Sequence, residues 1–135
     1  MRVTSVKEIL EIAAPLEPGF SIRVCNPPWR DLLISDLQQS GPNGSPTISV
    51  SYALEGRIIF PEMHFAIERF GVEMKMIPLS LRRAESEELE CCAMEMYGEW
   101  MILPPLQQTQ IEFAKVWDLC LMRKRYVGAF QKRRR

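Results

Sequence analysis

The chain reads as an α+β fold: a mostly antiparallel, twisted sheet of about six strands packed by a short N-terminal helix and a long C-terminal helix. Three observations carry this. From Phe20 through the middle of the chain, apolar and polar residues alternate with period two, as in a sheet with one face on a core. Near each end, around Ile9 and Trp117, apolar residues recur at helical spacing instead. Between these blocks, Pro, Gly and Asn cluster where neighbouring strands need turns.

The first helix is expected from Thr4 to Ala14, because Val6, Ile9, Leu10 and Ala13 fall on one face and Lys7, Glu8 and Glu11 on the other. Ser5 and Glu8 have capping-box spacing at its start, and Pro15, Pro18 and Gly19 stop it. A strand follows over Phe20 to Asn26, with Phe20, Ile22 and Val24 on the buried face. Pro27 and Pro28 lack the amide hydrogen that a central ladder requires, so CNPPW is a bend or an edge.

Leu32, Leu33, Ile34 and Leu37 mark a second strand, and SGPNGSP joins it to a third, Thr47 to Leu54, with Ile48, Val50, Tyr52 and Leu54 inward. Glu55-Gly56 makes a tight turn into a fourth strand through Ile58, Phe60, Met63, Phe65 and Ile67, interrupted by Pro61. A fifth runs from Val72 to Leu81. ESEELECCAMEMYGEWMILPP fits two readings: Leu89, Cys92, Met96, Trp100 and Leu103 make a helical stripe, while Tyr97-Gly98-Glu99 reads as a hairpin turn. The last helix starts after Pro104 and Pro105. Its apolar stripe is Phe113, Ala114, Trp117, Cys120 and Leu121, Glu112, Lys115 and Asp118 lie opposite, and Gly128 ends it.

A chain of 135 residues with 47% hydrophobic and 25% charged residues is that of one globular domain, with a core large enough to fold unaided. Residues 1–130 are expected to form the α+β domain and 131–135 a basic, mobile tail. The net charge of zero hides an uneven layout. The first 122 residues hold ten basic and 17 acidic side chains, and the last thirteen hold seven basic ones and no acidic one. No stretch reaches the roughly 18 apolar residues of a membrane span, and MRVTSVKEIL lacks a long apolar core, so a cytoplasmic protein with no membrane contact is expected. Cys25, Cys91, Cys92 and Cys120 show neither a CxxC pair nor disulfide spacing and read as free thiols packed as small hydrophobes.

Four segments in order, GFSIRVCNPPW, GPNGSPTISVSYALEGRIIFPEMHFAI, YGEWMILPPLQ and FAKVWDLCL, resemble a family of small proteins of bacterial chromosomes and mobile elements, known only as a domain of unknown function (6908-like). The resemblance implies that LECCAMEMYGEWMIL is a hairpin. It attaches no activity, cofactor or catalytic residue. The adjacent Cys91 and Cys92 and the Lys-Arg-rich end depart from the family's pattern.

The basic end is the most suggestive candidate site. Arg123, Lys124, Arg125, Lys132, Arg133, Arg134 and Arg135 could contact phosphates, with Tyr126 and Phe130 stacking on bases. Against this, Arg123 to Arg125 also suit the last turn of a helix, where cations offset its dipole, and a charged terminus is commonly just solvated. His64 is the single histidine and faces outward with Glu62 and Ala66. No zinc-ligand spacing and no phosphate-cradling glycine loop occurs, so no metal, no cofactor and no catalytic residue is expected. Trp29, Trp100, Trp117, Met63, Met74, Met76, Met94, Met96 and Met101 read chiefly as core, and any part left exposed would mark a protein interface.

These readings point away from an enzyme and toward a non-catalytic protein-binding or regulatory module, its partner another protein or a second copy in a homodimer. The alternative is an accessory nucleic-acid-binding protein that uses the basic helix end and tail.

Overall fold

The computed structural model describes residues 4–70, 73–85 and 87–133. Helix α1 (Thr4–Ala13) leads into strands β1 (Ser21–Val24), β2 (Asp31–Ser40), β3 (Pro46–Leu54), β4 (Arg57–Phe70), β5 (Glu73–Arg82) and β6 (Glu90–Cys91). A hairpin follows, β7 (Ala93–Met96) and β8 (Glu99–Ile102), and then helices α2 (Pro104–Arg123) and α3 (Tyr126–Arg133). The first six strands form one antiparallel sheet in sequential order, β1 and β6 at its edges, and β7 and β8 pair only with each other. The α+β architecture and the hairpin reading of LECCAMEMYGEWMIL hold. The expected start of the fifth strand, Val72, lies outside the described residues.

Alternation puts Ile22, Val24, Leu32, Ile34, Ile48, Val50, Met63 and Phe65 in one core beneath the three helices. Both tight hairpin turns place two consecutive residues at positive φ, Glu55-Gly56 (51° and 77°) and Tyr97-Gly98 (53° and 81°), the backbone twist that two-residue hairpin loops favour.

Several expectations are corrected. The sheet is not one-sided: every residue of β3 from Thr47 to Ala53 is buried. The small side chains Thr47, Ser49, Ser51 and Ala53 occupy the second face, part of which Ala93 and Trp100 of the hairpin cover by packing with Ala66, Ile77 and Leu79. Leu54 is exposed because it abuts the Glu55-Gly56 turn. A bulge opposite Ser51 and Tyr52 brings Ile59 against the core and leaves Ile58 outside.

At the C-terminus, Gly128 does not end the last helix. Helix α2 stops at Arg123, the chain reverses through Lys124 and a left-handed Arg125 (φ 59°), and a third, unexpected helix carries Gly128 in its interior. This helix runs to Arg133, so Lys132 and Arg133 are helical, and Arg134 and Arg135 lie outside the described residues. Cys120 is exposed rather than in the buried stripe.

Asp118 is buried rather than on the outer face, because it serves another helix. Its Oδ1 accepts the backbone N–H of Ser5 at 2.9 Å, so a carboxylate from α2 caps the positive end of α1. The Ser5–Glu8 capping box is thereby replaced, and the buried Ser5 Oγ has no hydrogen-bond partner among the described residues. Asp118→Ala is expected to lower unfolding free energy in urea by about 1 to 2 kcal/mol, and Asp118→Asn, which keeps an acceptor, by less.

Candidate functional site

Lys124, Arg125, Lys132 and Arg133 converge on the CNPPWR turn. Asn26 Nδ2 donates to the Lys124 carbonyl at 2.7 Å, holding the turn against the α2–α3 elbow. The Tyr126 hydroxyl donates to the Arg30 carbonyl at 2.6 Å, and Arg133 Nε donates to the Cys25 carbonyl at 3.3 Å. Two clefts flank this junction. One, of about 500 Å³, is lined by Cys25, Asn26, Pro27, Arg125, Gly128, Ala129, Lys132 and Arg133. The other, of about 270 Å³, is lined by Pro28, Trp29, Arg30, Tyr52, Lys124 and Tyr126.

Of the predicted cationic residues, Lys124, Arg125, Lys132 and Arg133 therefore line clefts, and Arg123 closes α2 as its basic last-turn residue. Sequence reasoning missed Trp29 and Arg30 as their neighbours. Trp29, expected in the core, is 47% exposed, with Lys124 Nζ 4.7 Å from its ring centroid. Tyr126 and Phe130, named as base-stacking candidates, are buried and anchor α3 instead. The signal that could have found the site is CNPPWR itself, a proline-braced turn presenting an aromatic beside a cation.

A second region lies at the opposite edge of the sheet. Met94, Met96 and Met101 are exposed, and Met94 sits across from Met101 and Met96 from Glu99 on one face of the hairpin. Tyr97 stands fully in solvent at the tip. Glu85, Glu87, Glu88, Glu95 and Glu99 are exposed nearby in sequence. The methionine set thus divides: Met63, Met74 and Met76 are core and the hairpin methionines are surface.

His64 lies on the second sheet face, with its Nε2 3.3 Å from Glu62 Oε2. That hydrogen bond is the main reason the Glu62 carboxyl sits below its ordinary range, helped by the charges of His64 and Arg82 and by Ser49, and opposed by burial. Ser49 and Ser80 flank His64 across the neighbouring strands. The clefts described above are lined by other residues, and among the described residues no group of three or more His, Cys, Asp and Glu side chains could hold a metal ion.

All four cysteines are free, and only Cys92 is buried. Its thiol lies 3.1 Å from the Pro78 carbonyl and 3.2 Å from Gln110 Oε1, and burial pushes its pKa up to about 11. Gln110, fully buried, also donates Nε2 to the Glu90 carbonyl at 2.8 Å and so ties α2 to the β5–β6 edge. No helix among the described residues is long and apolar enough to cross a membrane.

In comparisons with known proteins, a family model described as Domain of unknown function (DUF6908) matches residues 4–127. Neither the curated proteins nor the solved structures give a match.

Two outcomes follow from these environments. Because the folded pKa of Glu62 is depressed, its stabilising contribution is present above the ordinary carboxylate range and is lost as pH falls through the folded value. Thermal unfolding below about pH 4 should therefore show a steeper loss of Tm for the native chain than for Glu62→Gln. With a thiol reagent at about pH 8, Cys120 should react readily and Cys92 only on unfolding, as read by mass spectrometry of the labelled peptides.

Proposed function

The chain belongs to the DUF6908 family, and we propose that it works as a non-catalytic protein-binding module whose contact surface is the β7–β8 hairpin. The observation that carries this reading is the outward face of Met94, Met96 and Met101, apolar and exposed, beneath a fully exposed Tyr97. A two-stranded hairpin is marginal by itself, and here only its inner side, through Ala93 and Trp100, packs on the sheet. Methionines adapt to differing partner shapes, and an aromatic tip supplies a large contact at low entropic cost. Glu99, across from Met96 on the same face, gives that face one negative charge, so the matching partner surface is apolar with a Lys or Arg to meet it.

Photo-crosslinking from benzoylphenylalanine placed at Tyr97, in cells that make the protein, tests the reading. A discrete adduct is expected, lost when Met94→Glu and Met101→Glu are combined and absent when the crosslinker replaces Arg57. No discrete adduct, or one indifferent to the two methionines, would remove the hairpin from consideration as the contact surface.

A further inference from the structure

We propose that the α2–α3 elbow and the CNPPWR turn together bind single-stranded nucleic acid, with backbone phosphates in the larger cleft and a base against Trp29. This surface lies by the β1 edge, away from the hairpin, and the inference does not rest on the protein-binding reading.

The cations are gathered by the fold. Arg30 comes from a turn and Lys124, Arg125, Lys132 and Arg133 from the chain's far end, and the Asn26–Lys124 bond that joins them spans 98 positions. The anchoring bonds at Lys124 and Arg30 use their backbone carbonyls and leave both charged heads out of those contacts. Among the described residues none of these five side chains is in an ion pair, whereas Arg23 is paired with Asp31 and Arg83 with Glu90. The acidic side chain Glu8 lines a separate cleft with Arg125 and limits the footprint on that side.

The surface at Gly128 is open: beyond its own stretch of helix, no atom of the described residues lies within 4 Å of where a Cβ would stand. A phosphate can approach the helix backbone there while Arg125, Lys132 and Arg133 supply its counter-charges. Around the same turn, Pro27 lines one cleft and Pro28 the other, so the cleft that Trp29 lines and the phosphate cleft share one turn of the chain. A half-exposed indole next to cations suits an unstacked base, which a single strand offers and a duplex does not. An acidic peptide would use the cations and leave the indole without a role.

Fluorescence anisotropy with a labelled oligothymidine of about a dozen nucleotides tests this, with a duplex of equal length and unlabelled poly-glutamate as comparisons. Saturable binding is expected near 50 mM salt, with a log–log salt slope of about −3.5 if all five cations meet phosphates at roughly −0.7 each. Trp29→Ala should weaken binding by about tenfold with the slope unchanged, because stacking carries no charge. Gly128→Glu, whose Cβ has open space and whose carboxylate adds a negative charge among Arg125, Lys132 and Arg133, should abolish binding while far-UV circular dichroism and Tm confirm a folded chain. The proposal is overturned if no saturable binding occurs, if Gly128→Glu binds as the native chain does, or if duplex binds as tightly as single strand. It is overturned equally if poly-glutamate competes as well as unlabelled oligothymidine and Trp29→Ala has no effect, which would assign the cleft to acidic peptides.

Discussion

The aromatic junction of Tyr52, Trp117 and Tyr126 is the contact on which the arrangement of both C-terminal helices depends. Trp117 meets Tyr52 edge-on at 5.6 Å between centroids and donates its Nε1–H to the Tyr52 hydroxyl at 3.0 Å, which fixes α2 over β3 near the middle of the sheet. Tyr126, fully buried, lies 6.3 Å from Tyr52 and donates a hydrogen bond from its hydroxyl to the Arg30 carbonyl. Burial pushes both phenol pKa values up, so both groups stay neutral and keep these bonds across the ordinary pH range. With Tyr126 held, the chain must reverse just before it, and Lys124 and Arg125 are left on the elbow facing the turn.

That reversal brings the cationic residues toward the β1 edge, and the pairing of β5 with β6 puts the glutamate region at the other edge of the sheet. The cationic clefts lie by β1 and the exposed glutamates flank β6, in the loop before it and the hairpin after it, so a chain of zero net charge carries two surfaces of opposite sign. Local potential, rather than the sum, governs what each surface attracts. Long-range bonds hold each surface in place: Asn26 to Lys124 on one side, Gln110 to Glu90 and Cys92 on the other.

The apolar face of the sheet was legible in the sequence because it depends on local alternation: Ile22 and Val24, Ile48 and Val50, Met63 and Phe65 all face the core. The Tyr97-Gly98 turn was legible too, although the stripe through Cys92 and Met96 argued equally for a helix until the family resemblance favoured strands. What escaped was set by tertiary contact. Asp118 reads as a solvent-facing residue of an amphipathic helix and is buried because it caps a helix whose Ser5 is 113 positions away. Helix α3 escaped because Gly128 is a common stop and Arg125, which adopts the left-handed turn, carries no such signal. The basic residues of the candidate site were visible, and their meeting with Trp29 and Arg30 was not, since nothing local links residues 29 and 124.

The central claim is that Lys132 and Arg133 belong to the wall of a cleft on a helix held by Tyr126. Native-state hydrogen exchange of the amides from Ala129 to Arg133 measures this most directly, compared between the native chain and Tyr126→Phe. Protection well above that of an unstructured peptide in the native chain, falling when the hydroxyl is removed, is what the account predicts. Exchange at unstructured-peptide rates in the native chain would contradict it.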